Sequence, residues 1–173
     1  MAALERIYLG YRESPAFEPD VIFAMRQLDS ELAWRAVWLL RRRARDQGLE
    51  EHTLLRMVAI ADEMTHWIAR LILCQILMIA GCPGSVRDPA YQYLVECFRD
   101  RRAIVRAWAI SALAAFRDEP RYRRQVLSMM KEARRDGAKS MRARLRHLAT
   151  RGQSSDSTIA PARSRARHES RHR

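Results

Sequence analysis

The chain has 173 residues, a length typical of one domain, and 48% of them are hydrophobic, which is enough to build a substantial core. With 30% charged residues, the main body fits neither the intrinsically disordered class nor the membrane-spanning class of protein. The net charge of +12 favours an acidic partner, such as nucleic acid, an anionic membrane surface or an acidic protein.

Four segments with apolar residues at three-and-four spacing follow a capping segment at residues 1–17. They lie at residues 19–28, 50–61, 89–99 and 120–135. Each predicts an amphipathic helix, and the first has its apolar face at Val21, Ile22, Met25 and Leu28. Gly, Pro and Asp residues after residues 47, 81 and 117 predict short connections between the helices.

A second set of helices is predicted by a repeated pattern that opens on aspartate. The four copies begin at Asp29, Asp62, Asp100 and Asp136, and a large apolar residue follows five places later in each. The aspartates are 33, 38 and 36 residues apart, a period typical of stacked helical hairpins. An aspartate just before a helix can accept backbone N–H bonds and meets the positive end of the helix dipole.

The segment DRRAIVRAWAISALAAF, residues 100–116, resembles the second helix of a HEAT repeat, where Asp and Val-Arg-x-x-Ala are followed by leucines. The resemblance covers residues 18–150 and implies an all-α, right-handed α-solenoid of about four hairpins, with an armadillo-like solenoid as an alternative. In that family aspartates and arginines tend to form a ladder between neighbouring repeats. By position, the ladder here would contain Asp29, Asp62, Asp100, Asp136, Arg35, Arg106 and Arg142.

The second copy departs from this pattern, because Ile68 takes the arginine position and Arg70 follows two places later. We therefore expect the ladder to be broken or shifted there. Residues 151–173 lack apolar periodicity and are rich in Arg, Ser and His, which predicts a disordered basic tail. Such a tail either tethers the domain to an acidic partner or merely solubilises it.

No arrangement of residues predicts catalysis. His52, His66 and His147 lack a partner at metal-ligand spacing, and His66 is better explained as a helix-start residue beside Trp67. We therefore expect no cofactor, no metal and no small-molecule substrate. The HEAT resemblance keeps one lesser alternative, a bilin-lyase-like enzyme or chaperone.

Arginines form the strongest candidate binding feature. A polyanion or partner surface would use Arg41, Arg42, Arg43, Arg45, Arg70, Arg101, Arg102, Arg144 and Arg146. The resemblance implies that second helices line a concave face, so these arginines would form a track for a phosphate backbone. Two structural explanations compete with this one: cations at the end of a helix complement its dipole, and arginines of the ladder are occupied by carboxylates.

Cys74, Cys82 and Cys97 lie in apolar surroundings without zinc or redox spacing, which predicts buried free thiols and a reducing cytoplasm. The charged N-terminal segment does not fit a secretory signal, and the longest apolar stretch, about 15 residues, is shorter than the roughly 20 that a membrane span needs. We expect a cytoplasmic, non-catalytic scaffold or adaptor that binds a protein partner. The alternative is a nucleic-acid backbone-binding protein that uses a basic concave face and the tail.

Overall fold

The computed structural model describes residues 1–27 and 30–156, and side chains for residues 1–26 and 32–150. In this part of the chain the helices are α1 (Ala2–Tyr11), α2 (Phe17–Gln27), α3 (Ser30–Asp46), α4 (Glu51–Ala59), α5 (Trp67–Ala80), α6 (Arg87–Phe98), α7 (Ala103–Leu113), α8 (Pro120–Ala133) and α9 (Lys139–Asp156). Three short 3-10 turns lie at Ala61–Glu63, Gly84–Val86 and Ala114–Phe116. The prediction of an all-helical protein is confirmed for the described residues, which contain no β-strand.

The helices α2 to α7 and α9 pack as two series, and α8 packs on α7. In one series α3 packs against α5, α5 against α7, and α7 against α9. In the other, α2 contacts α4 and α4 contacts α6, while α2 also packs on α3 and α6 on α7. The additional helix α1 packs on α3. One continuous hydrophobic core joins the helices of the described residues, and it includes the buried side chains Tyr8, Leu40, Leu73, Ile110 and Met141.

Side-chain hydrogen bonds recur between residues about one hairpin apart in sequence. Arg41 of α3 donates to Gln75 of α5 at 2.6 Å, over 34 residues. The hydroxyl of Ser85 donates to Glu51 at 2.7 Å, again over 34 residues, and Arg144 donates to Ser111 at 2.9 Å over 33 residues. Elements that follow one another along the chain are therefore joined by side-chain hydrogen bonds.

Two of the repeated aspartates lie three residues before the first residue of a helix and accept from a backbone N–H in between. A carboxylate oxygen of Asp100 accepts from the backbone N–H of Arg102 at 2.8 Å, before α7. Asp136 accepts from the N–H of Ala138 at 2.9 Å, before α9. Each contact satisfies a backbone donor just before the first turn of a helix.

The other two aspartates behave differently. Asp62 is exposed in the turn Ala61–Glu63, and α5 begins only at Trp67, so the prediction that Asp62 directly precedes the second helix is wrong. The turn and the extended connection after it take up the intervening residues, and Nδ1 of His66 accepts from the N–H of Ile68 at 3.3 Å instead. Asp29 lies outside the described residues.

The ends of the chain differ from the predicted boundaries. The capping segment contains the helix α1, and α9 continues to Asp156, past the predicted domain end at residue 150. Residues 157–173 of the predicted tail lie outside the described residues. Among the described helices, none combines the length and apolar character that crossing a bilayer requires.

Candidate functional site

Arg70 and Asp100 form an ion pair between α5 and the start of α7. Nη1 of Arg70 lies 2.7 Å from Oδ2 of Asp100, whose side chain is only 5% exposed. Nη2 of Arg70 also contacts Sγ of Cys97 at 3.7 Å, and the Tyr93 hydroxyl donates to the Arg70 carbonyl at 3.1 Å. Arg70, a candidate polyanion contact by sequence, is therefore engaged within the protein.

Arg106 and Asp136 form the equivalent pair between α7 and the start of α9. Nη2 and Nε of Arg106 donate to Oδ2 of Asp136 at 2.7 and 3.1 Å. Nη1 donates to the carbonyls of Asp100 and Arg101 at 2.9 and 3.1 Å. The bond from the Ala138 N–H, followed by that from Arg106, lowers the pKa of Asp136 below its ordinary value.

The two pairs share a separation in sequence. Arg70 precedes Asp100 by 30 residues, and Arg106 precedes Asp136 by 30 residues. The remaining ladder arginines lie elsewhere: Arg35 is exposed with Cζ 5.7 Å from the Trp34 ring centroid, and Arg142 is exposed on α9. In each pair the aspartate belongs to the following copy of the pattern, 30 residues after the arginine. This spacing identifies Arg70 as a pair member, although Arg70 does not occupy the arginine position of its own copy.

Arg41 and Arg42 face neighbouring helices. Arg41, which bonds to Gln75, is partly buried. This burial lowers the pKa of its guanidinium, and the nearby charge of Arg45 lowers the pKa further by a smaller amount. Arg42 lies 3.2 Å from Glu5 of α1 and 3.0 Å from Asp46 of its own helix. These two side chains thus hold α3 against α5 and α1.

Arg43 and Arg45 complete this arginine cluster. Nε of Arg43 lies 3.2 Å from Glu18 of α2, and its Nη1 donates to the carbonyl of Arg12 at 3.3 Å. Arg45 is exposed. Three of the four arginines in this cluster are therefore bonded to other parts of the chain, which weakens the predicted phosphate track along the second helices.

Two further arginines cover tryptophan rings. The Cζ atom of Arg144 lies 3.7 Å from the ring centroid of Trp108, and its Nη2 contacts Sδ of Met78 at 3.4 Å. Arg102 lies over Trp67 at 5.1 Å. Cation–π contacts of this kind stabilise the packing and occupy a ring face that a nucleobase would need. Arg101 is exposed in the connection before α7.

Positive charge is concentrated in one part of the sequence. Residues 1–119 contain 16 arginines and 16 acidic residues, so this part has no net charge. Residues 120–150, here named the basic hairpin, contain ten arginines and lysines against Glu132 and Asp136. One of these two carboxylates, Asp136, is occupied by Arg106 of α7. The net positive charge of residues 1–150 thus lies in the basic hairpin.

A groove of about 640 Å³ lies on the basic hairpin, between the end of α8 and the face of α9. Its lining residues, which define the C-terminal basic groove, are Arg134, Lys139, Arg142, Leu145 and Arg146. The four cations are exposed, and the lining contains no acidic side chain. Sequence reasoning named Arg142 and Arg146 but not this groove, because Arg134 follows the end of the other helix of the hairpin.

Exposed apolar side chains concentrate at the other end of the chain. Five of the six large hydrophobic residues that are exposed in the described part lie within residues 1–23. This set, the N-terminal apolar set, consists of Met1, Ile7, Leu9, Tyr11 and Phe23. The helix α1 buries Tyr8 against the core, whereas Ile7 and Leu9 on either side of it point away. Sequence reasoning missed this set, although the run Ile-Tyr-Leu places apolar residues around the helix.

A recess beside His66 measures about 100 Å³, smaller than typical ligand pockets, and His66 itself caps α5. Within the described residues, no three His, Cys, Asp or Glu side chains form a cluster suited to a metal ion. No family model, curated protein or solved structure matches the chain.

Proposed function

We propose that the chain is a non-catalytic scaffold or adaptor, built as a right-handed HEAT-like α-solenoid, that binds a protein partner in the cytoplasm. The two helix series and the hydrogen bonds between residues 33 or 34 apart support the solenoid. The pairs Arg70–Asp100 and Arg106–Asp136 support a HEAT-like linkage between hairpins. The three free cysteines are compatible with a reducing compartment.

The N-terminal apolar set is the observation that supports a protein partner. Ile7 is 52% exposed, Leu9 53% and Phe23 64%, while the core buries most other large apolar side chains. Residues two apart on a helix point about 160° away from each other, so Ile7 and Leu9 support a protein partner as separate apolar contacts and not as one patch. Residues 1–50 carry eight arginines against eight acidic residues, so net charge does not oppose such docking.

The proposal is tested by affinity purification of the full chain after nuclease treatment. We expect a stoichiometric protein partner that is retained by the wild type and lost by the triple variant Ile7→Ser, Leu9→Ser, Phe23→Ser. Leu127→Ser is the matched control, because Leu127 is 48% exposed but lies on α8. Since all four side chains are exposed, the variants should keep the wild-type circular dichroism spectrum. Recovery of nucleic acid alone, or equal recovery of the partner by the triple variant, would contradict the proposal.

A further inference from the structure

We infer that the C-terminal basic groove binds the phosphate backbone of a nucleic acid. This inference goes beyond the scaffold function and does not depend on it, because it concerns α8 and α9 rather than the N-terminal apolar set. It also differs from a track along the second helices, since Arg42, Arg43 and Arg70 of that track are ion-paired within the protein.

Positive charge is distributed unevenly along the chain. An electroneutral stretch of 119 residues is followed by a hairpin with ten cations and two carboxylates. A solubilising excess of arginine, or a compositional bias, would spread over the whole surface. Because the excess lies in this hairpin and in residues 151–173, the positive charge of the folded body is concentrated at one end and attracts polyanions there.

The groove brings four cations close together. Arg142 and Arg146 are one helical turn apart on α9, about 6 Å along its axis. Arg134 reaches the same groove from the end of α8, and Lys139 from the start of α9. Four cations that line one groove without a carboxylate repel one another, so a ligand with closely spaced negative charges stabilises them. Nucleic acid supplies such charges, one per 1.7 Å of duplex axis.

The groove offers contacts to phosphates and no surface for base stacking. The groove lining contains no aromatic side chain, and the nearby Trp108 is covered by Arg144. Tyr122 of α8 is stacked on Tyr91 at 4.2 Å and bonded to Asp88. Stacking platforms for unpaired bases are therefore not offered by these side chains, and recognition uses guanidinium–phosphate contacts. Binding should tolerate duplex and single strands and show little preference for sequence.

The sequence after the groove continues the same chemistry. Residues 151–173, which begin within α9, contain six arginines against two acidic residues. By composition, they add to the attraction for a polyanion without defining a site. A test must therefore separate the groove from the tail, which a variant with an intact tail achieves.

The experiment measures binding of the full chain to two fluorescein-labelled 24-base-pair DNA duplexes of unrelated sequence, at several salt concentrations. The groove variant replaces Arg134, Lys139, Arg142 and Arg146 with Gln. The matched control replaces Arg6, Arg45, Arg99 and Arg101 with Gln, four exposed cations of the electroneutral part. Both variants have a net charge of +8 and keep the tail, so they differ only in where the charge was removed.

We expect the groove variant to bind both duplexes at least tenfold more weakly than the wild type at physiological salt, with the control within about twofold. The slope of log Kd against log salt should fall by up to about 3.6 in the groove variant, since each of the four lost phosphate contacts contributes about 0.9. Equal weakening in both variants would reduce the effect to net charge and overturn the inference. Unchanged binding by the groove variant would show that other residues bind the duplex, and it would also overturn the inference.

An acidic protein ligand is distinguished in the same assay. Polyglutamate of matched charge should compete at least tenfold less effectively than unlabelled duplex. Equal competition would identify carboxylates as adequate ligands and overturn the assignment to nucleic acid. These outcomes leave the scaffold function unaffected, because its test uses nuclease-treated protein and variants at the other end of the chain.

Discussion

Arg70 and Asp100 lie 30 residues apart in sequence, and their side chains meet at 2.7 Å where α7 begins. Asp100 also accepts from the N–H of Arg102, just before the helix. We expect Asp100→Ala to lower the free energy of unfolding by about 1–3 kcal/mol, because this bond is lost and Arg70 loses its carboxylate. Urea denaturation measures this. The control is Asp62→Ala, which removes an exposed carboxylate away from a helix start and should cost less than about 0.5 kcal/mol. Equal costs would contradict the role of Asp100.

The pair Arg106–Asp136 predicts a pH dependence of stability. Asp136 has a pKa below its ordinary value of 3.8, because the Ala138 N–H and Arg106 bond to its charged form. Such a group stabilises the fold at pH values above its unfolded pKa, and the stabilisation is lost as the pH falls through the folded pKa.

The variant Asp136→Asn should therefore be less stable than the wild type by a constant amount between pH 5 and 8. The difference should shrink as the pH falls below about 4. Urea denaturation at pH 7, 5 and 3 checks this expectation. A difference that stays the same or grows at pH 3 would show that the charge of Asp136 does not stabilise the fold.

Arginine–tryptophan contacts differ in closeness, and this predicts a ranking of stabilities. Arg144 lies 3.7 Å from the Trp108 ring centroid and donates to Ser111, whereas Arg102 lies 5.1 Å from Trp67. We expect Arg144→Ala to cost about 1–2 kcal/mol and to shift tryptophan emission to longer wavelength, and Arg102→Ala to cost less than about 1 kcal/mol. Thermal melts and fluorescence spectra of both variants test this. The reverse ranking would contradict the argument.

Cys82 is predicted to react slowly with thiol reagents. Burial raises its pKa to about 11, so little thiolate is present at neutral pH. At pH 8 we expect native protein to react with Ellman's reagent about 100-fold more slowly than a small-molecule thiol, and Cys74 and Cys97, which are fully buried, to be protected too. In urea all three thiols should react rapidly. One fast thiol in native protein, lost on Cys82→Ser, would contradict this prediction.

Much of the helical arrangement follows from local sequence signals. The apolar spacing of residues 19–28, 50–61, 89–99 and 120–135 marks α2, α4, α6 and α8 closely, since each helix buries one face. The start of α5 escaped prediction because Asp62 resembles a cap by register. The turn Ala61–Glu63 leaves that role to His66, whose side chain bonds to the N–H of Ile68.

The candidate surfaces were less accessible to sequence reasoning. The sequence of a basic run does not show whether an arginine faces solvent or a carboxylate. Arg43 meets Glu18 across a gap of 25 residues, and only the packing of α2 on α3 brings them together. The C-terminal basic groove similarly needs the fold, because Arg134 follows the end of α8 whereas Arg142 lies on α9.

The recurrent side-chain bonds also bear on how the chain folds. Arg41–Gln75, Arg70–Asp100 and Arg144–Ser111 each join residues 30 to 34 apart, so each closes a loop of about one hairpin. Loop closure of this length costs little entropy, and proteins dominated by such near contacts fold fast. We expect a hairpin to acquire its native packing as soon as the next one has been synthesised, so that few unpaired helices are exposed during translation.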